Sequence, residues 1–168
     1  MRSSSDVYKT VSPTELREMF DYNEHTGEVF RRGPNGLMKR VGWQNNDGAL
    51  RVDIRKRKIL LHVVIWALMT GEWPSHRIDH HDRNRTNNTW GNLRQATQSQ
   101  NMANSPKRST NTSGLKRVSW SKRERKWQTH IQVRGVQKFL GLFDCPAAAH
   151  FTYQIAADRE FGEFARVF

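Results

Sequence analysis

Cysteine is almost missing from this chain: Cys145 stands alone among 168 residues. That excludes an internal disulfide and any structural zinc knuckle built on cysteine ligands. Long apolar runs are missing as well. The longest extends from Val63 to Met69, far short of the ~20 residues that a membrane span needs. Met1-Arg2-Ser3-Ser4-Ser5-Asp6 contains no apolar segment of the kind that opens a secretory signal, so an intracellular protein is expected. There is no long amphipathic basic helix either, which argues against a membrane-surface binder. Internal repeats are also absent.

Acidic charge is scarce. Lys and Arg total 28 against 16 Asp and Glu, for a net +12 and a pI of about 10.6. Such a balance points to a polyanionic partner. The excess is uneven: between 107 and 138 Glu124 is the single acid. The shift begins at Asn104-Ser105-Pro106-Lys107-Arg108-Ser109-Thr110-Asn111-Thr112-Ser113-Gly114, which holds no apolar residue and reads as a linker. Two small modules are expected, 1–104 and 114–168, joined by 105–113.

In the first module Ser12-Pro13-Thr14-Glu15 predicts a helix start, with Ser12 as N-cap and Glu15 closing a capping box. His25 to Phe30 and Ala49 to Ile54 read as strands. Leu60, Leu61, Val64, Ile65 and Leu68 recur at helical spacing, and Gly71 and Pro74 end that helix. Arg77-Ile78-Asp79-His80 reads as a short strand entering a polar loop, and Asn92 to Ala96 as a second. Thr97-Gln98-Ser99-Gln100 fits a capping box opening a helix that carries Asn101.

The chemistry gathers at Asp79-His80, the Asn-rich stretch from Asn84 to Asn92, and Asn101. A carboxylate beside an imidazole can hold a divalent cation and activate a water. Carboxamides at fixed spacing can complete the ligand set. On so basic a chain the natural substrate is a phosphodiester.

Through Leu61-His62-Val63-Val64, Gly71-Glu72-Trp73-Pro74, Ile78-Asp79-His80, Arg83 to Asn88 and Asn92-Leu93-Arg94, the chain resembles the HNH nucleases, more narrowly the homing endonucleases of bacteriophages. The resemblance runs from about Phe20 to Asn104. It implies a ββα-metal fold in which His80 is the general base, Asp79 and Asn101 ligate Mg²⁺ or Mn²⁺, and Asn92 holds the loop and orients the His80 ring. Neutral imidazole accepts a proton at physiological pH, and hard cations favour such oxygen ligands. His81 stands where the family usually has an apolar residue, and strict alternation would set Asp79 and His81 on one face. It is therefore a rival base. Asn87 and Asn88 read as turn residues, and His62 as a hydrogen-bonded core histidine.

In the second module Gly114–Trp120, Lys126–Val133 and Val136–Phe143 read as strands, with Arg134-Gly135 as a tight turn and Pro146 opening a helix. This segment resembles the ethylene-response-factor-type DNA-binding domain. The residues that carry the likeness are Ser113 to Trp120, Lys126-Trp127, Phe139 to Asp144, Ala147 to Ala149, Tyr153 and Ala156-Ala157. It implies a sheet lying in the DNA major groove with its helix behind. Alternation turns Gln128, His130, Gln132 and Arg134 outward. Lys116, Ser119, Lys122, Arg123, Lys126 and Lys138 would meet phosphates, Gln132 and Arg134 could read base edges, and Phe139 takes the place of an outward aromatic. Ser119 and Ser121 stand where the family has arginines.

The expectation is thus an α+β protein: an HNH ββα-metal module followed by a three-stranded antiparallel sheet packed on one helix. As a monomeric endodeoxyribonuclease it would nick or cut duplex DNA. The rival readings are a DNA-binding regulator with a degenerate HNH module and an RNA binder.

Overall fold

The computed structural model describes residues 11–107 and 109–166. The reading of the first six residues and that of Arg108 in the linker lie outside them. The chain mixes α and β elements, and by contact it divides into two units, 1–95 and 96–168. No helix among the described residues is long and apolar enough to cross a membrane.

The first unit opens with α1 (Pro13–Met19). Ser12 and Glu15 form the expected capping box, and Pro13 occupies the first turn where its missing N–H costs nothing. Six short strands follow: β1 (Phe20–Tyr22), β2 (Val29–Arg32), β3 (Met38–Val41), β4 (Trp43–Gln44), β5 (Leu50–Ile54) and β6 (Arg57–Leu60). They form two antiparallel sheets, β1-β2-β3 and β4-β5-β6. The strand expected from His25 begins only at Val29. Before it, Asn23 Oδ1 accepts the amides of His25 and Thr26, so turn chemistry prevails over alternation.

Helix α2 (Leu61–Thr70) is buried on nearly every side, as its continuous apolar composition requires. Gly71, at φ 79°, ends it in the left-handed conformation. Leu16, Phe20, Val29, Val52, Ile54 and Ile59 pack in one core with Leu61, Val64, Ile65 and Leu68 of α2. Beyond α2 come β7 (Arg77–His80), a 3₁₀ turn at Trp90–Asn92, and β8 (Leu93–Ala96), which pairs with β7.

The second unit begins at the end of β8. Helix α3 (Gln98–Asn104) starts at a capping box between Thr97 and Gln100, as expected. It packs with α4 (Pro146–Phe161) and the 3₁₀ turn Gly162–Phe164. Residues 96–104, read from sequence with the first module, therefore group by contact with the second. Strands β9 (Val118–Ser121), β10 (Lys126–Val133) and β11 (Val136–Phe143) form an antiparallel sheet with β10 central. Tyr153, Ala157 and Phe161 of α4 and Ile131 of β10 share its core, and Ala149 of α4 is buried as well. β9 is shorter than expected, because Ser113 Oγ bonds to Leu115 and Val118 and holds the preceding residues in a turn.

Candidate active site and nucleic-acid surface

β7 delivers Ile78, Asp79 and His80 as three consecutive buried residues. A strand covered on both sides can bury neighbours whose side chains point opposite ways. Asp79 turns to β8, where Arg94 Nε and Nη2 each lie 3.3 Å from its Oδ2. His80 turns to the loop and to α2. Its Nε2 is 3.0 Å from Asn88 Oδ1, and its ring meets His62 edge-on, with centroids 4.9 Å apart and planes at 87°. With the carboxamide oxygen as acceptor, Nε2 carries the ring proton and Nδ1 the lone pair.

Asn88 is the contact to His80 that the sequence did not announce. Read there as a turn residue, it is almost fully buried, and its carboxamide meets the His80 ring. Its position is set from outside the loop. Tyr22 Oη donates to the Asn88 carbonyl at 2.8 Å, and the Trp90 amide donates to the Glu24 carbonyl at 3.0 Å. Gly27, with φ 74°, runs so close that a Cβ there would lie 2.7 Å from Asn88 C and Thr89 N. The β1–β2 hairpin thus braces the strip that orients His80.

Asn92 holds the loop, as expected, through bonds other than one to His80. Its Nδ2 donates to Asp82 Oδ1 and the Asn87 carbonyl, and its Oδ1 accepts the Asp82 amide. The expectation that Asn92 orients His80 is corrected: a side chain committed to Asp82 and Asn87 leaves that contact to Asn88. Burial pushes the Asp82 carboxyl up, but bonds from Asn87, the Asn84 amide and Asn92 outweigh it, so the group sits below its ordinary value.

His62 belongs to the core, yet it also packs on the expected base. Its Nδ1 is buried with no hydrogen-bond partner among the described residues. Burial above all, then the charges of His80, Arg85 and Arg51, push the ring down to about 3. His81 is exposed, and its amide donates to the Asn92 carbonyl. Asn101 lies half-buried on α3.

Among the described residues no three His, Cys, Asp or Glu side chains converge as a metal site. A cation here would rest on one carboxylate, Asp79, completed by carboxamide, water and phosphate oxygens. That donor set fits Mg²⁺ or Mn²⁺, which keep several waters and favour oxygen.

In the second unit the register divides the expected contacts. Residues directly opposite share a face, and the outward rows are Ser121–Lys126, Ser119–Gln128–Leu142, His130–Phe139 and Gln132–Gln137. Phe139 is 56% exposed, with its ring 5.1 Å from His130. Lys122 and Arg123 are exposed in the β9–β10 turn. Arg134 and Gly135, both at positive φ, form the β10–β11 turn, so Arg134 stands at the edge of the sheet face. Lys126 pairs with Asp144 at 3.1 Å, a surface pair weak enough to yield to a phosphate.

Two lysines are corrected. Lys116 is buried, with Nζ donating to the carbonyls of Ala103 and Arg166, so it ties α3 to the chain end instead of meeting DNA. Lys138 stands opposite Ile131 on the helix side of the sheet, and its Nζ lies 3.3 Å from Glu160 of α4.

Asp79 and His80 lie buried at the end of β7, with His80 against the Asn-tied loop, where the HNH resemblance expects them. The model of the HNH endonuclease family matches residues 60–103, which span α2 to the end of the site. The chain is 33% identical to Protein 3.8 of Escherichia phage T7 over 106 residues, 62% of this chain and 87% of that protein. It is 30% identical over 131 residues to an uncharacterized HNH endonuclease of Acanthamoeba polyphaga mimivirus, covering 77% of this chain and 67% of that one. This chain belongs to the HNH endonuclease family. No solved structure matches it.

Proposed function

We propose that the protein is a metal-dependent DNA endonuclease of the homing type, which nicks or cuts duplex DNA. The observation that carries this reading is His80, buried at the end of β7 with Nε2 fixed on Asn88, inside the segment that matches the family. Nδ1 takes the proton of the attacking water. The water oxygen bonds to phosphorus, the bond to the 3′ oxygen breaks, and that oxygen takes a proton from solvent, leaving a 5′-phosphate and a 3′-hydroxyl. Asp79 and, by the resemblance, Asn101 would hold Mg²⁺ or Mn²⁺, which supplies charge stabilisation to the phosphate and to the departing oxygen. Asn92 keeps the loop closed around Asp82.

Residues 114–168 are the DNA-holding module in this reading. Ser119, Lys122, Arg123 and Lys126 reach phosphates; His130, Gln132 and Phe139 present the sheet face; and Arg134 stands at its edge. The register of β9, β10 and β11 supports this assignment. A monomer with one such site cuts one strand per binding event, so the first product is a nick.

The test is incubation with labelled duplex DNA from the gene's own neighbourhood, with Mg²⁺, Mn²⁺ or EDTA, beside His80→Ala. Metal-dependent cuts at a fixed position, lost in the variant while binding persists, are expected. Tight binding without cleavage under any metal would instead favour a regulatory DNA binder.

A further inference from the structure

Arg94 is a large, permanently charged side chain placed where an HNH site needs room for a cation. Its guanidinium lies against Asp79 Oδ2, with Nε and Nη2 each 3.3 Å away. The side chains are only 14% and 9% exposed, so the pair is shielded from solvent. A divalent ion on that carboxylate would compete with the guanidinium for one oxygen and repel it at short range, and low local dielectric strengthens the repulsion. Free protein and loaded site therefore favour different positions for Arg94.

We propose that Arg94 exchanges partners when DNA arrives, leaving Asp79 for a non-bridging oxygen of the phosphodiester, so that cation and substrate enter the site together. This rests on the nuclease reading above. The chemistry suits the exchange: a planar guanidinium binds carboxylate and phosphate with the same donor fork. Arg94 reaches from β8 toward β7, the strand whose last residue is His80. Without DNA, Arg94 shields Asp79 from stray cations. With DNA, the phosphate draws it off, and the freed carboxylate takes the ion. By linkage the same coupling makes metal strengthen DNA binding.

The test is Mn²⁺ binding to the full chain by calorimetry, first without DNA. Arg94→Gln is expected to bind Mn²⁺ at least about fivefold more tightly than the wild type, and Arg94→Lys, which keeps the charge, to stay near it. Adding a duplex that the protein cleaves should raise wild-type Mn²⁺ affinity about tenfold and that of Arg94→Gln far less. Circular dichroism reports folding, and Arg94→Met replaces the Gln variant if that one melts early. Equal or weaker Mn²⁺ binding by the neutral variants without DNA overturns the exchange. If neither wild type nor variant binds Mn²⁺ with or without DNA, the nuclease reading itself falls, and the proposal with it.

Discussion

Asn88 Oδ1 lies 3.0 Å from His80 Nε2 and is buried with it. With Asn88 Oδ1 as acceptor, the ring carries its proton on Nε2 and its lone pair on Nδ1. Asn88→Ala should therefore lower kcat about 10- to 100-fold with little change in KM, while His80→Ala should cost about 100-fold or more. Single-turnover cleavage of a labelled duplex measures both. An unchanged kcat in Asn88→Ala would remove Asn88 from the positioning role.

Gly27 should be as intolerant as a site residue, though it bears no side chain. Alanine there meets a left-handed backbone, a cost of about 1–2 kcal/mol, and a 2.7 Å approach to the Asn88–Thr89 backbone. Gly27→Ala should melt earlier and lose cleavage beyond its loss of stability. Activity that merely follows the melting curve would show that the hairpin supports the fold alone.

His62 sets an acid limit on stability. Its folded value, about 3, lies below the ordinary 6.5, so the unfolded chain binds the extra proton between these values. The stability is present above pH ~6.5 and is lost as pH falls toward ~3, by up to about 1.4 kcal/mol per pH unit. Denaturant midpoints across that range should drop in the wild type and flatten in His62→Leu.

The two kinds of lysine in the second unit should separate cleanly. Lys116→Ala leaves the buried Ala103 carbonyl and the partly buried Arg166 carbonyl without this donor and should cost about 1–3 kcal/mol of stability. Its salt dependence of DNA binding should match the wild type. Lys122→Ala and Arg123→Ala should leave melting unchanged and each reduce the slope of log affinity against log salt by about 0.9. Fluorescence anisotropy at several salt concentrations decides.

What was legible in the sequence was mostly local. The boxes at Ser12 and Thr97, the stop at Gly71 and the turn at Arg134-Gly135 each depend on residues a few positions apart, and all four form. Asp79-His80 was visible because no common turn needs that pair before an Asn-rich loop. Asn88 was not, since asparagine serves turns and imidazoles alike, and only the packing of β1–β2 against its backbone decides between them. Lys116 and Lys138 were misplaced for a related reason. A lysine's destination depends on strand register and on which carbonyls or acids lie within its long reach. Short charged strands such as β3 and β6 carry too few β-branched or aromatic residues to announce themselves.

The hairpin of Tyr22, Glu24 and Gly27 also limits how far this HNH chain can be miniaturised. The segment that matches the family starts at residue 60, yet the groups that seat Asn88 come from the 20s. Transplanting the matched stretch into another scaffold would carry the histidine and leave behind its alignment. A portable version must take the hairpin along.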